Sequence, residues 1–69
     1  MTITTTYAVH GMSCDHCVRA IETEVGAVPG VTGARADLAT GRLVVTSETP
    51  VDDDAVREAV AEAGYEVAT

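Results

Sequence analysis

The sequence has few of the residues that large cores and nucleic-acid interfaces require. Its 69 residues include no tryptophan and no phenylalanine, and aromatic residues make up only 3% of the chain, so aliphatic side chains must form the core. Lysine and arginine together number 4 against 11 aspartate and glutamate residues, which gives a formal net charge of -7. Because an acidic surface repels phosphate groups, nucleic acid and anionic membranes are poor partner candidates.

Long apolar segments are also missing. The uninterrupted aliphatic run at residues 43–45 is far shorter than the roughly 20 residues of a membrane span. The N-terminus lacks the basic start and the apolar stretch of about 7 to 15 residues that a secretory signal would show, so we expect a soluble, cytoplasmic protein. Two cysteines, three positions apart, are too few for a disulfide framework, and we expect them to be present for their reactivity.

The first half of the chain predicts a strand, a helix and a hairpin. Apolar and small polar residues alternate over residues 3–9, with the period of two that is typical of a half-buried strand. From Val18 to Val28 the apolar positions are spaced by three or four, which predicts a helix that ends before Pro29 and Gly30. Alternation resumes at 31–38, with Leu38 on the inner face, and at 42–47. The short segment 39–41 between them predicts a tight turn.

The second helix has a clear start and a clear end. Asp52 is the predicted N-cap, and Asp53 and Asp54 follow in the first turn, where carboxylates favour the positive end of the helix dipole. Gly64 stands where a left-handed cap would end the helix, and residues 65–67 predict a short last strand.

The predicted order of elements is therefore β-α-β-β-α-β. Right-handed crossovers convert this order into an α+β, ferredoxin-like two-layer sandwich, in which two helices cover one face of a four-stranded antiparallel sheet. No linker or change of composition divides the sequence, so we expect a single domain over residues 1–69.

Cys14 and Cys17 are the one group of residues whose chemistry indicates a function. The spacing predicts two neighbouring thiols at the start of the first helix, where the helix dipole favours thiolate over thiol. Thiolates select soft ions such as Cu(I) and Zn(II), and a pair suits a two-coordinate monovalent ion better than four-coordinate structural zinc. A structural cysteine pair and a redox-active dithiol are the alternatives.

The segment from Gly11 to Cys17, followed by a helix in a chain of this length and order, resembles the heavy-metal-associated domains of small bacterial cytoplasmic copper chaperones. The resemblance covers essentially the whole chain and includes the closing residues 63–65. It implies a cytoplasmic Cu(I) carrier, not an enzyme, that transfers its ion to a copper-transporting P-type ATPase. Domains of this family are also fused to the ATPases, and related periplasmic carriers bind mercury. A chain that begins and ends on the domain favours a free-standing protein.

The resemblance also implies roles for individual residues. Cys14 and Cys17 bind the ion, Met12 packs under the loop and is not a ligand, and Tyr65 lies beside the site. The position of His16 between the cysteines, apart from the resemblance, makes it a candidate third ligand, above all with zinc or in a copper-bridged homodimer, or a residue that tunes the cysteine pKa values. A solvent-facing histidine is the alternative. His10 is expected to be solvated.

The sequence thus predicts a copper chaperone that uses ligand exchange between thiolates. The alternatives are a cytoplasmic thiol redox protein and a carrier of Zn(II), Cd(II) or Hg(II). The acidic charge predicts a partner with a basic surface, while no nucleic acid and no stable membrane insertion are expected. Because neither thiol belongs to the predicted apolar stripes, we expect both to lie outside the core.

Overall fold

Six regular elements follow one another in residues 2–68, the part of the chain that the computed structural model describes. The predicted domain limits, residues 1 and 69, lie outside the described residues. The elements are β1 (Ile3–His10), α1 (Asp15–Gly26), β2 (Val31–Asp37), β3 (Arg42–Ser47), α2 (Asp53–Glu62) and β4 (Glu66–Val67). This order confirms the predicted β-α-β-β-α-β arrangement.

The four strands form one antiparallel sheet in the order β2-β3-β1-β4. The long central strands β1 and β3 pair from Ile3 opposite Ser47 to Ala8 opposite Arg42. β2 pairs with the other side of β3, and the two-residue β4 pairs with the end of β1. Because β1 and β3 lie at the centre while each helix connects a central strand to an edge strand, the predicted ferredoxin-like topology is confirmed.

The core lies between the sheet and the two helices. The inward strand positions alternate as the sequence predicted, and the buried helix positions recur at spacings of three and four. Both helices contribute to the same cluster, so they cover one face of the sheet. Its buried residues are Tyr7, Val9, Ile21, Val25, Leu43, Val45, Val56, Ala59 and Val60.

The caps of α2 confirm the sequence prediction. Asp52 is the N-cap, and its side chain accepts a hydrogen bond of 3.0 Å from the backbone N–H of Asp54. Beyond the other end of the helix, Gly64 has a φ of 93°, in the left-handed region that glycine adopts without strain. The chain can therefore turn directly from α2 into β4.

The prediction that Leu38 faces the core is wrong. β2 ends at Asp37, because the N–H of Gly41 donates to the carbonyl of Asp37 over 2.8 Å and closes a turn in which Leu38 lies. Leu38 is 39% exposed, more than any other large hydrophobic side chain in residues 2–68. The turn thus begins one residue earlier than the alternation indicated.

The first helix also differs in detail from its prediction. It ends at Gly26, so Val28 lies beyond it, half-buried against the core. Val18 is only half-buried, whereas Cys17 is buried together with Ile21 and Val25. The buried face of α1 is therefore rotated by one residue in its first turn relative to the predicted stripe.

Three connections meet at one end of the molecule. The pairing of Ala8 with Arg42 places the β2–β3 turn beside the end of β1, and the pairing of His10 with Glu66 places the α2–β4 connection there too. The N–H of Val9 also donates to the carbonyl of Gly41 over 2.8 Å. The loop after β1, which contains the cysteine motif, begins at this same end.

Residues 2–68 contain no helix that could span a membrane, since α1 and α2 have only 12 and 10 residues.

Candidate metal-binding site

The loop between β1 and α1 places Cys14 at the point where the helix begins. Cys14 is the N-cap, with an extended backbone (φ -157°, ψ 168°), and its carbonyl accepts from the N–H groups of Cys17 (3.1 Å) and Val18 (3.3 Å). Its side chain makes no capping hydrogen bond. The backbone therefore completes the first turn, and the Cys14 sulfur is left available for other chemistry.

The two sulfur atoms lie close together in different surroundings. Cys14 Sγ is 3.0 Å from Cys17 Sγ, within hydrogen-bonding contact, and both residues are free thiols. Cys14 is exposed, whereas Cys17 is only 7% exposed. The expectation that both thiols lie outside the core is wrong for Cys17, because the residues four and eight positions later, Ile21 and Val25, share its buried helix face.

The surroundings of Cys17 favour its ionised form. Hydrogen bonds lower the pKa of Cys17 to about 6. The largest effect comes from the Tyr65 side chain, followed by the Cys14 thiol and the Ser13 backbone, while desolvation acts in the opposite direction. The same contact with Cys17 raises the pKa of Tyr65. At neutral pH Cys17 is thus mainly a thiolate, the form that binds metal, and Tyr65 remains a neutral hydrogen-bond donor.

Tyr65 reaches this site from the opposite end of the chain. Its backbone N–H donates to the carbonyl of Val60 over 3.0 Å, and its side chain is half-buried against the core. Its ring also lies against Gly11 in the cysteine loop. The structure therefore brings Tyr65 beside Cys17, as the family resemblance implied, and adds a contact with Gly11 that sequence reasoning missed.

Met12, His16 and His10 have three different environments. Met12 is half-buried and packs against the core, which anchors the loop from below. His16 is exposed and lines an open cleft of about 380 Å³ together with Cys14, Asp15 and Arg19. His10 is exposed on β1, as predicted.

The cysteine pair is the candidate donor set for a metal ion. Within the described part of the chain, no group of three or more His, Cys, Asp and Glu side chains is placed to hold a metal ion together. Two sulfurs in contact, one of them already ionised, fit a soft ion that accepts few ligands. They also fit reversible formation of a disulfide, the chemistry of the redox alternative.

The model of one protein family, the heavy-metal-associated domain, matches residues 6–66. The chain belongs to this family.

The relatives fall into two size classes. The chain is 39% identical over 64 residues to the copper chaperone CopZ of Bacillus subtilis, an alignment that covers 91% of this chain and 93% of that protein. It is 41% identical over 63 residues to the copper-transporting ATPase 2 of Rhizobium meliloti, where 91% of this chain aligns with only 8% of the ATPase. Among solved structures, a CopZ metallochaperone superimposes with a TM-score of 0.87 at 32% identity, covering 94% of this chain and 98% of that one.

Proposed function

We propose that this protein is a copper chaperone, not an enzyme, that binds Cu(I) through Cys14 and Cys17. One observation carries the proposal: two sulfurs 3.0 Å apart at the start of α1, in a heavy-metal-associated domain that matches a small copper chaperone over nearly its full length. We place this chaperone in the cytoplasm, as a single domain over residues 1–69.

The unequal exposure of the two ligands suits transfer of the ion. Cu(I) bound by two thiolates can accept a third thiolate from a partner before one of the first two bonds breaks, so no free ion is released. Cys14 is exposed and Cys17 is buried, so the partner's thiolate approaches from the Cys14 side.

The neighbouring residues support the pair without binding the ion in the monomer. Met12 fixes the loop on the core, and Tyr65 donates a hydrogen bond to Cys17. His16 lies on the rim of the cleft beside Cys14, where it can contribute when two copies share copper in a bridged homodimer.

The partner is a copper-transporting P-type ATPase. Copper-transporting ATPases among the relatives contain a segment similar to this chain, so the two sides of the transfer have related folds. Exchange between two similar cysteine pairs has a small free-energy difference, and the direction of transfer then depends on how much copper each side holds.

The proposal is tested by a Cu(I) titration. The reduced protein is titrated under anaerobic conditions in competition with a Cu(I) chelator. We expect tight one-to-one binding that is lost in Cys14→Ser, with weaker binding of Zn(II) run in parallel. Cys14→Ser is the preferred variant because residue 14 is exposed, whereas serine at position 17 would place a hydroxyl in the buried face of α1.

Two other outcomes would contradict the proposal. Weak binding of both metals, together with a disulfide that forms and is reduced readily, would assign the protein to the thiol redox class. Tighter binding of Zn(II), Cd(II) or Hg(II) than of Cu(I) would make it a carrier of another soft metal.

A further inference from the structure

Gly11, in the cysteine loop, lies beside the ring of Tyr65. Its φ of 93° lies in the left-handed region, and a Cβ built on it would lie 3.3 Å from Cδ1 and 3.9 Å from Cε1 of the Tyr65 ring. A separation of 3.3 Å is shorter than an ordinary carbon contact of about 3.5 to 4.0 Å, so any side chain at position 11 would press on the ring.

The other glycines with positive φ do not have such a neighbour. A Cβ on Gly64, whose φ is also 93°, would meet nothing within 4 Å. A Cβ on Gly41 would meet the backbone oxygen of Val9 at 3.4 Å, and one on Gly30 would meet the Thr49 hydroxyl at 2.7 Å. Among the described residues, therefore, only at Gly11 does the missing side chain leave room for an aromatic ring.

The backbone of Tyr65 is fixed on both sides. Its N–H donates to Val60, and the next residue, Glu66, pairs with His10. The position of the ring thus depends on the atoms that the ring contacts rather than on the path of the chain. Gly11 lies on one side of that ring, and Cys17 is the partner of the hydroxyl at its tip.

We propose that Gly11 is a positioning residue for the copper site: the absence of a side chain lets the Tyr65 ring lie against the loop, which keeps the Tyr65 hydroxyl on Cys17 and covers that side of the cysteine pair. The expected effect of Gly11 on copper binding rests on the proposed function. The contact between Gly11 and the Tyr65 ring does not depend on it. A Cβ at position 11 moves the ring outward and opens the site.

The first measurement is structural and uses the metal-free protein. In the wild type we expect nuclear Overhauser contacts from the Tyr65 ring protons to the α protons of Gly11 and to the side chain of Cys17. In Gly11→Ala the contact with Cys17 is lost while the strand pairing of Glu66 with His10 remains. An unchanged ring-to-Cys17 contact in folded Gly11→Ala overturns the inference.

The second measurement is the rate at which a Cu(I) chelator removes copper from the loaded protein. We expect Gly11→Ala to raise this rate about tenfold, the size of effect that residues beside metal ligands commonly have. In a Tyr65→Ala background the ring is absent, so Gly11→Ala should change the rate by less than about twofold. An equal effect in both backgrounds means that Gly11 acts independently of Tyr65 and also overturns the inference.

Two further variants separate the ring contact from backbone strain. Gly11→Asn has the same Cβ on a residue that tolerates positive φ better, so it tests the contact if Gly11→Ala does not fold. Gly30→Ala introduces an alanine at a φ of 90° at the other end of the molecule, and it should lower stability without changing the removal rate. A wild type that binds no Cu(I) refutes the proposed function, and the ring contacts then still decide the role of Gly11.

Discussion

At the scale of single residues, the cysteine pair is asymmetric. Cys14 is an exposed N-cap whose sulfur makes no capping hydrogen bond, while Cys17 belongs to the buried face of the same helix. The spacing of the motif predicts that the sulfurs are neighbours, but it does not reveal which one faces the core. Under the proposed function, the exposed Cys14 is the sulfur that a partner approaches, while Tyr65 interacts with the buried Cys17.

The Tyr65 hydroxyl provides a prediction about pH. Because its hydrogen bond is the largest influence that holds the pKa of Cys17 at about 6, Tyr65→Phe should move that pKa upward, towards the value of 9.0 for an unperturbed thiol. The rate of Cys17 alkylation by iodoacetamide, measured by mass spectrometry, follows the thiolate fraction. The pH midpoint at which this rate rises should therefore be higher in Tyr65→Phe than in the wild type.

Tyr7→Phe is the matched control for this measurement. The Tyr7 hydroxyl donates to Asp53 Oδ1 over 2.6 Å, and burial followed by this bond raises the pKa of Tyr7 to about 12. It has no part in the cysteine site, so its removal should leave the alkylation midpoint unchanged. An equal midpoint in Tyr65→Phe and in the wild type would show that Tyr65 does not stabilise the thiolate.

Ser47 provides a prediction about stability. It is fully buried at the end of β3, and within the described residues its hydroxyl has no hydrogen-bond partner. Since an unpaired buried hydroxyl costs about 1 to 3 kcal/mol, Ser47→Ala should raise the free energy of unfolding by about 1 kcal/mol in urea titrations. A less stable variant would indicate that a buried water pairs with the hydroxyl in solution.

At the scale of elements, the contact between α1 and β2 protects an edge of the sheet. β2 is an edge strand, and the backbone N–H of Ala36 donates to Glu22 Oε2 on α1 over 2.9 Å. An unprotected edge offers its N–H groups to a strand of another molecule. The helix therefore both covers the core and satisfies part of the free edge of the sheet.

Removing this carboxylate should weaken the protein and favour self-association. Glu22→Ala should lower the free energy of unfolding by about 1.5 kcal/mol, since a charged acceptor is lost from a partly buried donor. Sedimentation at increasing concentration should show dimers or larger species. Glu24→Ala, an exposed residue of the same helix, is the matched control, and identical behaviour of the two variants would show that Glu22 does not protect the edge.

At the scale of the whole molecule, charge is concentrated on one layer. Eight of the 11 acidic residues lie on the helices or at the start of α2, against two of the four basic residues, Arg19 and Arg57. These eight are Asp15, Glu22, Glu24, Asp52, Asp53, Asp54, Glu58 and Glu62. The helix layer thus presents a negative surface that extends to the end where the cysteines lie.

This distribution predicts how copper transfer depends on salt. Transfer to a partner domain with a basic surface should slow by about tenfold between dilute buffer and physiological ionic strength, because screening removes electrostatic steering. Stopped-flow measurements of transfer at several salt concentrations provide the test, with removal of copper by an uncharged thiol as the control. A transfer rate that salt does not change would exclude steering by the net charge of -7.

Local patterns in the amino-acid sequence were enough to predict the order of elements, the caps of α2 and the position of the cysteine motif at a strand-to-helix junction. These features depend on local rules: the periodicity of apolar residues, an aspartate at an N-cap and a glycine at a left-handed position. Family resemblance, rather than periodicity, connected Tyr65 with Cys17.

Other details depend on contacts between residues far apart in the chain, and the folded structure was needed to see them. The alternation of β2 did not reveal that a backbone hydrogen bond ends the strand at Asp37 and exposes Leu38. The stripe of α1 did not reveal that Cys17 faces the core, because the orientation of a helix is fixed by the sheet on which it packs. The contact of Gly11 with Tyr65 joins residues far apart in the chain, and no local pattern records it.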